Sequence, residues 1–427
     1  MNKKSIFAAM AGTILEFYDF TLLNLFMPII APLFFPAKDS FSALMMAYGL
    51  LMIVILTRPL GGLFFGFIGD TYGRKKALML SILIMSIPCV LTGLLPTYAQ
   101  IGILAPILMG LFRAMQALCC GGEYSGAGLF VVEHAKIGQK GAQGSLLTAS
   151  SLLGCFVASL IGLLATLDSV PEWGWRIPFI LGGVVGIVGL FYRRQLKESP
   201  EFVQYQREEK KKDPHLMNFL KNNKASFLCS IGIGGISGVP FAIVCTYMLP
   251  VLKVKDVITK TELMTLNSFY MLFCVLVLYG AGKLSDTLGQ SRLMKIGASW
   301  LFALAIPAIY AFNTSDLFDI ILVHLALLAG NEIFLGPSNA FLCKLFPITC
   351  RYRGISFGFC LGLVLFGAST PFICANVTQW LEFEYLPAFW LMFVSAVAYL
   401  SVWYGEGIIR KRNHEEESSV VSFKRAA

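Results

Sequence analysis

Charge is scarce in this 427-residue chain: Asp, Glu, Lys and Arg make up 14% of it, against roughly 25% in soluble domains. Hydrophobic residues reach 56%, and a water-exposed fold this apolar would aggregate, so a soluble domain is excluded. Histidine is scarce as well, with four residues, and the eleven cysteines are odd in number. Most cysteines lie inside apolar runs, for example Cys119, Cys120, Cys155 and Cys274. Neither residue type recurs at disulfide or zinc-ligand spacing, which leaves packing as the role of Cys119-Cys120. His134 and His414 fall in polar segments and His324 lacks a Cys/His partner pattern. With no nucleophile, metal cluster or catalytic set, an enzyme is not expected.

What the chain does have is twelve apolar stretches, at about 9–35, 43–68, 77–96, 100–131, 145–167, 176–193, 225–252, 262–282, 293–312, 317–344, 355–378 and 386–408. Each is long enough to cross about 30 Å of hydrocarbon as a helix. A membrane β-barrel would need alternating segments of about ten residues with a polar inner face, which these continuous runs are not. The first stretch could imitate a signal peptide, but two carboxylates inside it and the lack of a small-residue cleavage site argue that it stays. An all-α membrane protein of twelve helices in two six-helix bundles is expected.

Lys and Arg crowd into the N-terminal arm and alternate loops, while the opposite loops carry about five of the 34. That bias places both termini in the cytoplasm of a multi-pass protein of the plasma (inner) membrane. The net charge of +9 is a topology signal, and attraction to lipid headgroups explains it better than nucleic-acid binding.

Between the second and third stretches lies Gly69-Asp70-Thr71-Tyr72-Gly73-Arg74-Lys75-Lys76, a tight polar turn. A weaker echo, Gly282-Lys283-Leu284-Ser285-Asp286-Thr287-Leu288-Gly289, follows 216 residues later (286 minus 70), close to half the chain. This is the mark of duplication. The longest polar segment, about Arg193 to Lys224, separates six stretches from six, and its run Arg207-Glu208-Glu209-Lys210-Lys211-Lys212-Asp213-Pro214 reads as a solvated tether. The expected organisation is therefore an N-terminal bundle at 1–192, a cytoplasmic linker at 193–224, a C-terminal bundle at 225–409 and a polar tail at 410–427.

Ionisable residues inside the spans are rare, and each is expensive at the bilayer centre, at least about 2.5 to 3.5 kcal/mol when unpaired. Glu16 and Asp19 in the first span stand three residues apart, on one helical face. In the fourth, Arg113, Gln116, Cys120 and Glu123 keep to one stripe, offering a cation and an anion to a cavity. A buried carboxylate whose cationic partner can be exchanged meets the physical requirement for coupling a proton to a conformational change, which singles out Asp19, Glu16, Arg113 and Glu123. Gly121, Gly122, Gly126 and Gly128 read as close helix packing. Arg58-Pro59-Leu60-Gly61-Gly62 in the second span reads equally as gating or pairing and as packing. His324, Asn331 and Ser338 share a face of the tenth span, with Glu332 slightly offset. The seventh, with Gly232, Gly234, Gly235, Gly238 and Pro240 before Tyr247, suggests a broken helix.

These residues carry a resemblance. The turn from Gly69 to Lys76 is similar to the signature loop of the major facilitator superfamily. Glu16-Phe17-Tyr18-Asp19-Phe20, Arg58-Pro59-Leu60-Gly61-Gly62, Gly121-Gly122-Glu123-Tyr124 and Trp173-Gly174-Trp175-Arg176-Ile177-Pro178-Phe179 resemble its metabolite:proton symporters, which include proline/betaine, 2-oxoglutarate and citrate carriers. The resemblance covers nearly the whole chain. It implies a central cavity, alternating access, an acid on the first helix (Asp19) working with an Arg on the fourth (Arg113), and a cytoplasmic lock at Asp70 and Arg74. Three departures stand out. Ala117, Leu118, Cys119 and Cys120 replace the glycine-containing sequence usual before the Gly-Gly-Glu-Tyr motif; Gln290-Ser291 stands where a basic pair is expected, so the latch at Asp286 should be weaker; and the coiled-coil tail of osmosensing members is missing.

The expected function is proton-coupled symport of a small polar metabolite, leaning to a proline or betaine type of zwitterion. The proton gradient is the driving force, with no cofactor and no metal, and the protein is expected to be a monomer. Tyr18, Arg113, Gln116, Tyr124, Tyr247, His324, Asn331 and Glu332 are the expected substrate contacts; Asp70, Arg74, Arg58 and Asp286 the expected gate. A di- or tricarboxylate symporter, an exporter or exchanger of the same fold, and a non-transporting solute sensor are the alternatives.

Overall fold

Backbone N–H and C=O groups in hydrocarbon must be bonded within their own segment, which leaves the helix for continuous apolar runs. The computed structural model describes residues 3–35, 40–165, 170–208, 216–314 and 316–426 and is helical, with no strand among them. Among the described residues, twelve segments are long and apolar enough to cross a membrane: α1 (Ala8–Phe34), α2 (Met52–Tyr72), α3 (Arg74–Leu94), α4 (Leu104–His134), α5 (Lys140–Ala165), α6 (Trp173–Arg194), α7 (Lys224–Val254), α8 (Glu262–Leu288), α9 (Gln290–Thr314), α10 (Leu317–Leu345), α11 (Arg351–Val377) and α12 (Leu386–Glu415). Each overlaps one of the twelve stretches expected from the sequence.

The chain divides into two compact units, Met1–Lys136 with Leu146–Lys212, and Ile137–Ser145 with Asp213–Ala427. In the first, α2 packs along α4, α3 along α6 and α4, and α1 against α6. The second repeats those neighbours six helices on: α8 along α10, α9 along α12 and α10, α7 against α12. The turns obey the same repeat. Gly73 and Gly289, also 216 apart (289 minus 73), both have positive φ, 111° and 94°, where a side chain would be strained.

Small residues set how closely the helices approach. A Cβ at Gly61 would overlap the Leu118 carbonyl, and one at Gly121 the Arg58 carbonyl, so α2 and α4 touch backbone to backbone. Gly234 and Gly362 do the same for α7 and α11, against the carbonyls of Phe359 and Ile231. The seventh span is broken as its glycines suggest: helix Lys224–Ile236, a short Val239–Phe241 turn, a π-helical stretch Ala242–Met248, then Leu249–Val254. In α10 the helix stops at Leu335 and resumes at Ser338, and α11 carries π-helical stretches at Leu363–Gly367 and Ile373–Val377.

Two boundaries differ from the sequence reading. Arg193, expected to open the linker, is fully buried in the last turn of α6. Beyond it the chain forms helices Pro200–Glu208 and Leu216–Asn222, while residues 209–215 of the charged run lie outside the described residues. The polar tail continues the last helix, Leu386–Ala426, because no proline or glycine follows Gly407 to stop it.

Candidate functional site

The two carboxylates of α1 are both buried, and each meets an arginine from another helix. Glu16 Oε1 accepts from Nη2 of Arg58 on α2 at 2.7 Å, and Asp19 Oδ2 accepts from Nη1 of Arg113 on α4 at 2.8 Å. The glycine contact between α2 and α4 brings these two arginines toward the same face of α1. Asp19 Oδ1 accepts from the thiol of Cys89 on α3 at 3.2 Å, and the Arg113 guanidinium stands 5.5 Å from the Phe179 ring on α6. Two neutral charge pairs thus sit where five helices converge.

Around them several polar atoms make no hydrogen bond although they are buried. They are Nε and Nη2 of Arg113, both amide atoms of Gln116 one turn further along α4, and Oε2 of Glu16. Interiors satisfy about 90% or more of such groups. Three unsatisfied atoms on the two ion pairs and two on the adjacent Gln116 leave this cluster with hydrogen-bonding capacity that the protein itself does not fill.

Glu123 is not part of this cluster, which corrects the expectation that it and Arg113 face one cavity. Its carboxylate is held by both terminal nitrogens of Arg193 and by Ser81 Oγ at 2.5 Å. Arg193 also donates to the carbonyls of Ala8, Ala9 and Leu78. The pair has no exposed surface and bolts together α1, α3, α4 and α6. Arg193 sits beside Arg194 at a span end, so in the sequence it looks like one more basic residue of the loop. The tyrosines are also committed. Tyr18 donates to the Pro178 carbonyl at 2.8 Å, and the Tyr124 hydroxyl lies 3.1 Å from Thr148 Oγ1.

At the first turn Arg74 is fully buried. It pairs with Asp70 at 3.3 Å and Glu133 at 3.4 Å, donates to the Gly69 carbonyl at 2.8 Å, and packs over Phe202 at 4.6 Å. Glu198 accepts the N–H groups of Arg74 and Lys75 at 3.0 and 3.2 Å, placing negative charge at the N-terminus of α3. Glu133 and Glu198 were not visible as partners in the sequence. At the second turn Asp286 accepts the N–H groups of Gly141 and Ala142 at 2.7 and 3.0 Å, at the start of α5. The missing basic pair therefore does not leave Asp286 idle.

The expected contacts of the second unit fall in two places. Tyr247 lies in the π-helical stretch of α7, half-buried, its ring 6.3 Å from Phe312. His324, Asn331 and Glu332 are buried on α10, where His324 Nδ1 is 3.0 Å from the Tyr270 hydroxyl and Asn331 Nδ2 donates to Glu332 Oε1 at 3.1 Å. Ser338 leaves their group: it follows the break in α10 and donates to the Leu335 carbonyl. Among the described residues, no group of three or more His, Cys, Asp or Glu is arranged to hold a metal.

Residues 4–228 match the sugar (and other) transporter family. The proline/betaine transporter of Salmonella typhimurium is 33% identical over 413 residues, covering 93% of this chain and 82% of that protein. The chain belongs to this transporter family, within the major facilitator superfamily. The transporter is also 32% identical, over the same shares, to the glycine betaine/proline/ectoine/pipecolic acid transporter OusA of Dickeya dadantii. Its fold is that of the proton:xylose symporter XylE, with a TM-score of 0.78 at 14% identity, covering 96% of this chain and 97% of that one. A bacterial homologue of the iron transporter ferroportin superposes with a TM-score of 0.72 at 14% identity, covering 94% and 99%.

Proposed function

We propose that the protein is a proton-coupled symporter that takes up a zwitterion of the proline or betaine type across the plasma membrane, with both termini cytoplasmic. The observation that carries this reading is the Asp19–Arg113 pair, with two nitrogens of the arginine left without partners. While Asp19 is ionised it holds Arg113. When Asp19 takes a proton, the guanidinium is released to bind a substrate carboxylate in a bidentate fork. Glu16, whose Oε2 makes no hydrogen bond, faces the positive end of the solute. Gln116 contributes its amide.

Net charge supports a zwitterion over a di- or tricarboxylate. Arg113 and Arg58 are each already matched by a carboxylate, and one proton on Asp19 frees a single cation, enough for the one carboxylate of a zwitterion and short of what two or three carboxylates need. Asp19 carries the proton in this account. Glu123 does not, because every oxygen it has is bound to Arg193 or Ser81. Names of the relatives, two of which mention proline and betaine, point the same way.

The test is uptake into proteoliposomes under an inside-alkaline gradient, with labelled proline, betaine, 2-oxoglutarate and citrate. Accumulation of the zwitterions that collapses with the gradient is expected. Accumulation of the carboxylates alone would overturn the substrate class, and uptake indifferent to the gradient would overturn the coupling.

A further inference from the structure

Among the described residues six carboxylates are buried: Glu16, Asp19, Asp70, Glu123, Glu133 and Glu332. The first five each lie within ion-pair distance of an arginine. Glu332 has none. It sits near the middle of the 29-residue α10, at a seam with α8, and the groups beside it are formally neutral: the Asn331 amide on its own helix, the Cys274 thiol of α8, and Cys245 in the π-helical stretch of α7. Further along the seam Tyr270 of α8 meets His324 of α10, both fully buried, with rings edge-on at 5.7 Å. His324 Nε2 and Asn331 Oδ1 are buried without partners.

A carboxylate withdrawn from water with no counter-charge takes up a proton rather than remain ionised. Cys274, Cys245, Tyr270 and His324 are the titratable groups facing this seam, and none supplies a fixed positive charge. We propose that Glu332 is a second proton-binding site of this transporter, separate from Asp19, holding its proton inside the α8–α10 seam and exchanging it with water when the seam opens. The broken segment of α7 beside it and the break in α10 four residues after it give these helices local freedom to open. Release is a simple transfer: the carboxyl O–H bond breaks, water takes the proton, and the carboxylate left behind becomes solvated.

For its effect on transport this inference rests on the proton-coupled reading above; for the presence of the proton it does not. Infrared difference spectroscopy of the purified protein between neutral and alkaline pH, in H2O and D2O, reads the proton directly. A protonated-carboxyl carbonyl band is expected at neutral pH, shifted in D2O, present in Asp19→Asn and lost in Glu332→Gln. The same band in Glu332→Gln as in the wild type would overturn the assignment, as would its absence from the wild type. If Glu332→Gln fails to fold, Cys274→Ala serves instead, since removing the thiol beside Glu332 changes the surroundings of that carboxyl and is expected to move its band. Uptake that ignores the proton gradient, found together with a band lost in Glu332→Gln, would refute coupling at Asp19 and uphold this site.

Discussion

The two units share their helix neighbours and differ in how they keep charge inside a membrane. In the first, four arginines pair with five buried carboxylates, Arg58, Arg113 and Arg193 with one each and Arg74 with both Asp70 and Glu133. In the second, Glu332 lies beside an amide and a thiol, and His324, further along α10, against a phenol. A paired acid is costly to break and can exchange partners; a lone acid in the same medium survives by being neutral. The two units repeat one scaffold and differ in charge pairing.

The first unit itself contains two kinds of pair. Arg193–Glu123 has every hydrogen-bonding atom occupied, while Asp19–Arg113 leaves Arg113 Nε and Nη2 without partners. One is a closed bolt; the other is the pair that opens in the proposed mechanism.

The largest effect is expected at the bolt. Arg193→Ala strands Glu123 among four helices and should cost about 3–5 kcal/mol, seen as loss of monodisperse protein and a steep fall in Tm; an unchanged Tm would mean that the pair is not structural. Replacing both partners by apolar residues of similar volume should recover most of that loss. Glu332→Gln should be far milder, about 1 kcal/mol or less, since it swaps one neutral hydrogen-bonding group for another. A loss as large as that of Arg193→Ala would erase the contrast between the units. Gln116→Leu should leave the fold intact and raise KM about tenfold, the equivalent of roughly 1.4 kcal/mol for one substrate hydrogen bond. An unchanged KM removes Gln116 from the site. Tyr18→Phe should leave KM unchanged and cost about 1 kcal/mol of stability, because its hydroxyl is spent on the Pro178 carbonyl.

Twelve spans were legible because hydrocarbon forces each crossing into an apolar run of about twenty residues. Glu16 and Asp19 were legible because a carboxylate in such a run has no bland explanation, and Arg113 because it interrupts one. Their pairings were harder to read. Asp19 and Arg113 are 94 residues apart, and only the family resemblance joined them. Glu123 was assigned to the wrong partner because Arg113 shares its helix stripe, whereas Arg193 sits among loop cations and is drawn in by three backbone carbonyls and by the Glu123 carboxylate itself. Tyr270 and Cys274 carried no signal at all, since a tyrosine and a cysteine in a span read as packing. The π-helical stretches follow from long-range packing of α7 and α11, and glycine density indicates a break without giving its form.

The central claim is that Asp19, on taking up a proton, gives up its hold on Arg113 to a solute carboxylate. Uptake and counterflow of labelled proline in proteoliposomes, compared for wild type and Asp19→Asn, test it most directly. The account predicts that Asp19→Asn loses gradient-driven accumulation while retaining exchange of solute at equal pH, because a neutral Asn leaves Arg113 permanently free to bind. Accumulation by Asp19→Asn that still rises with the imposed gradient would contradict it.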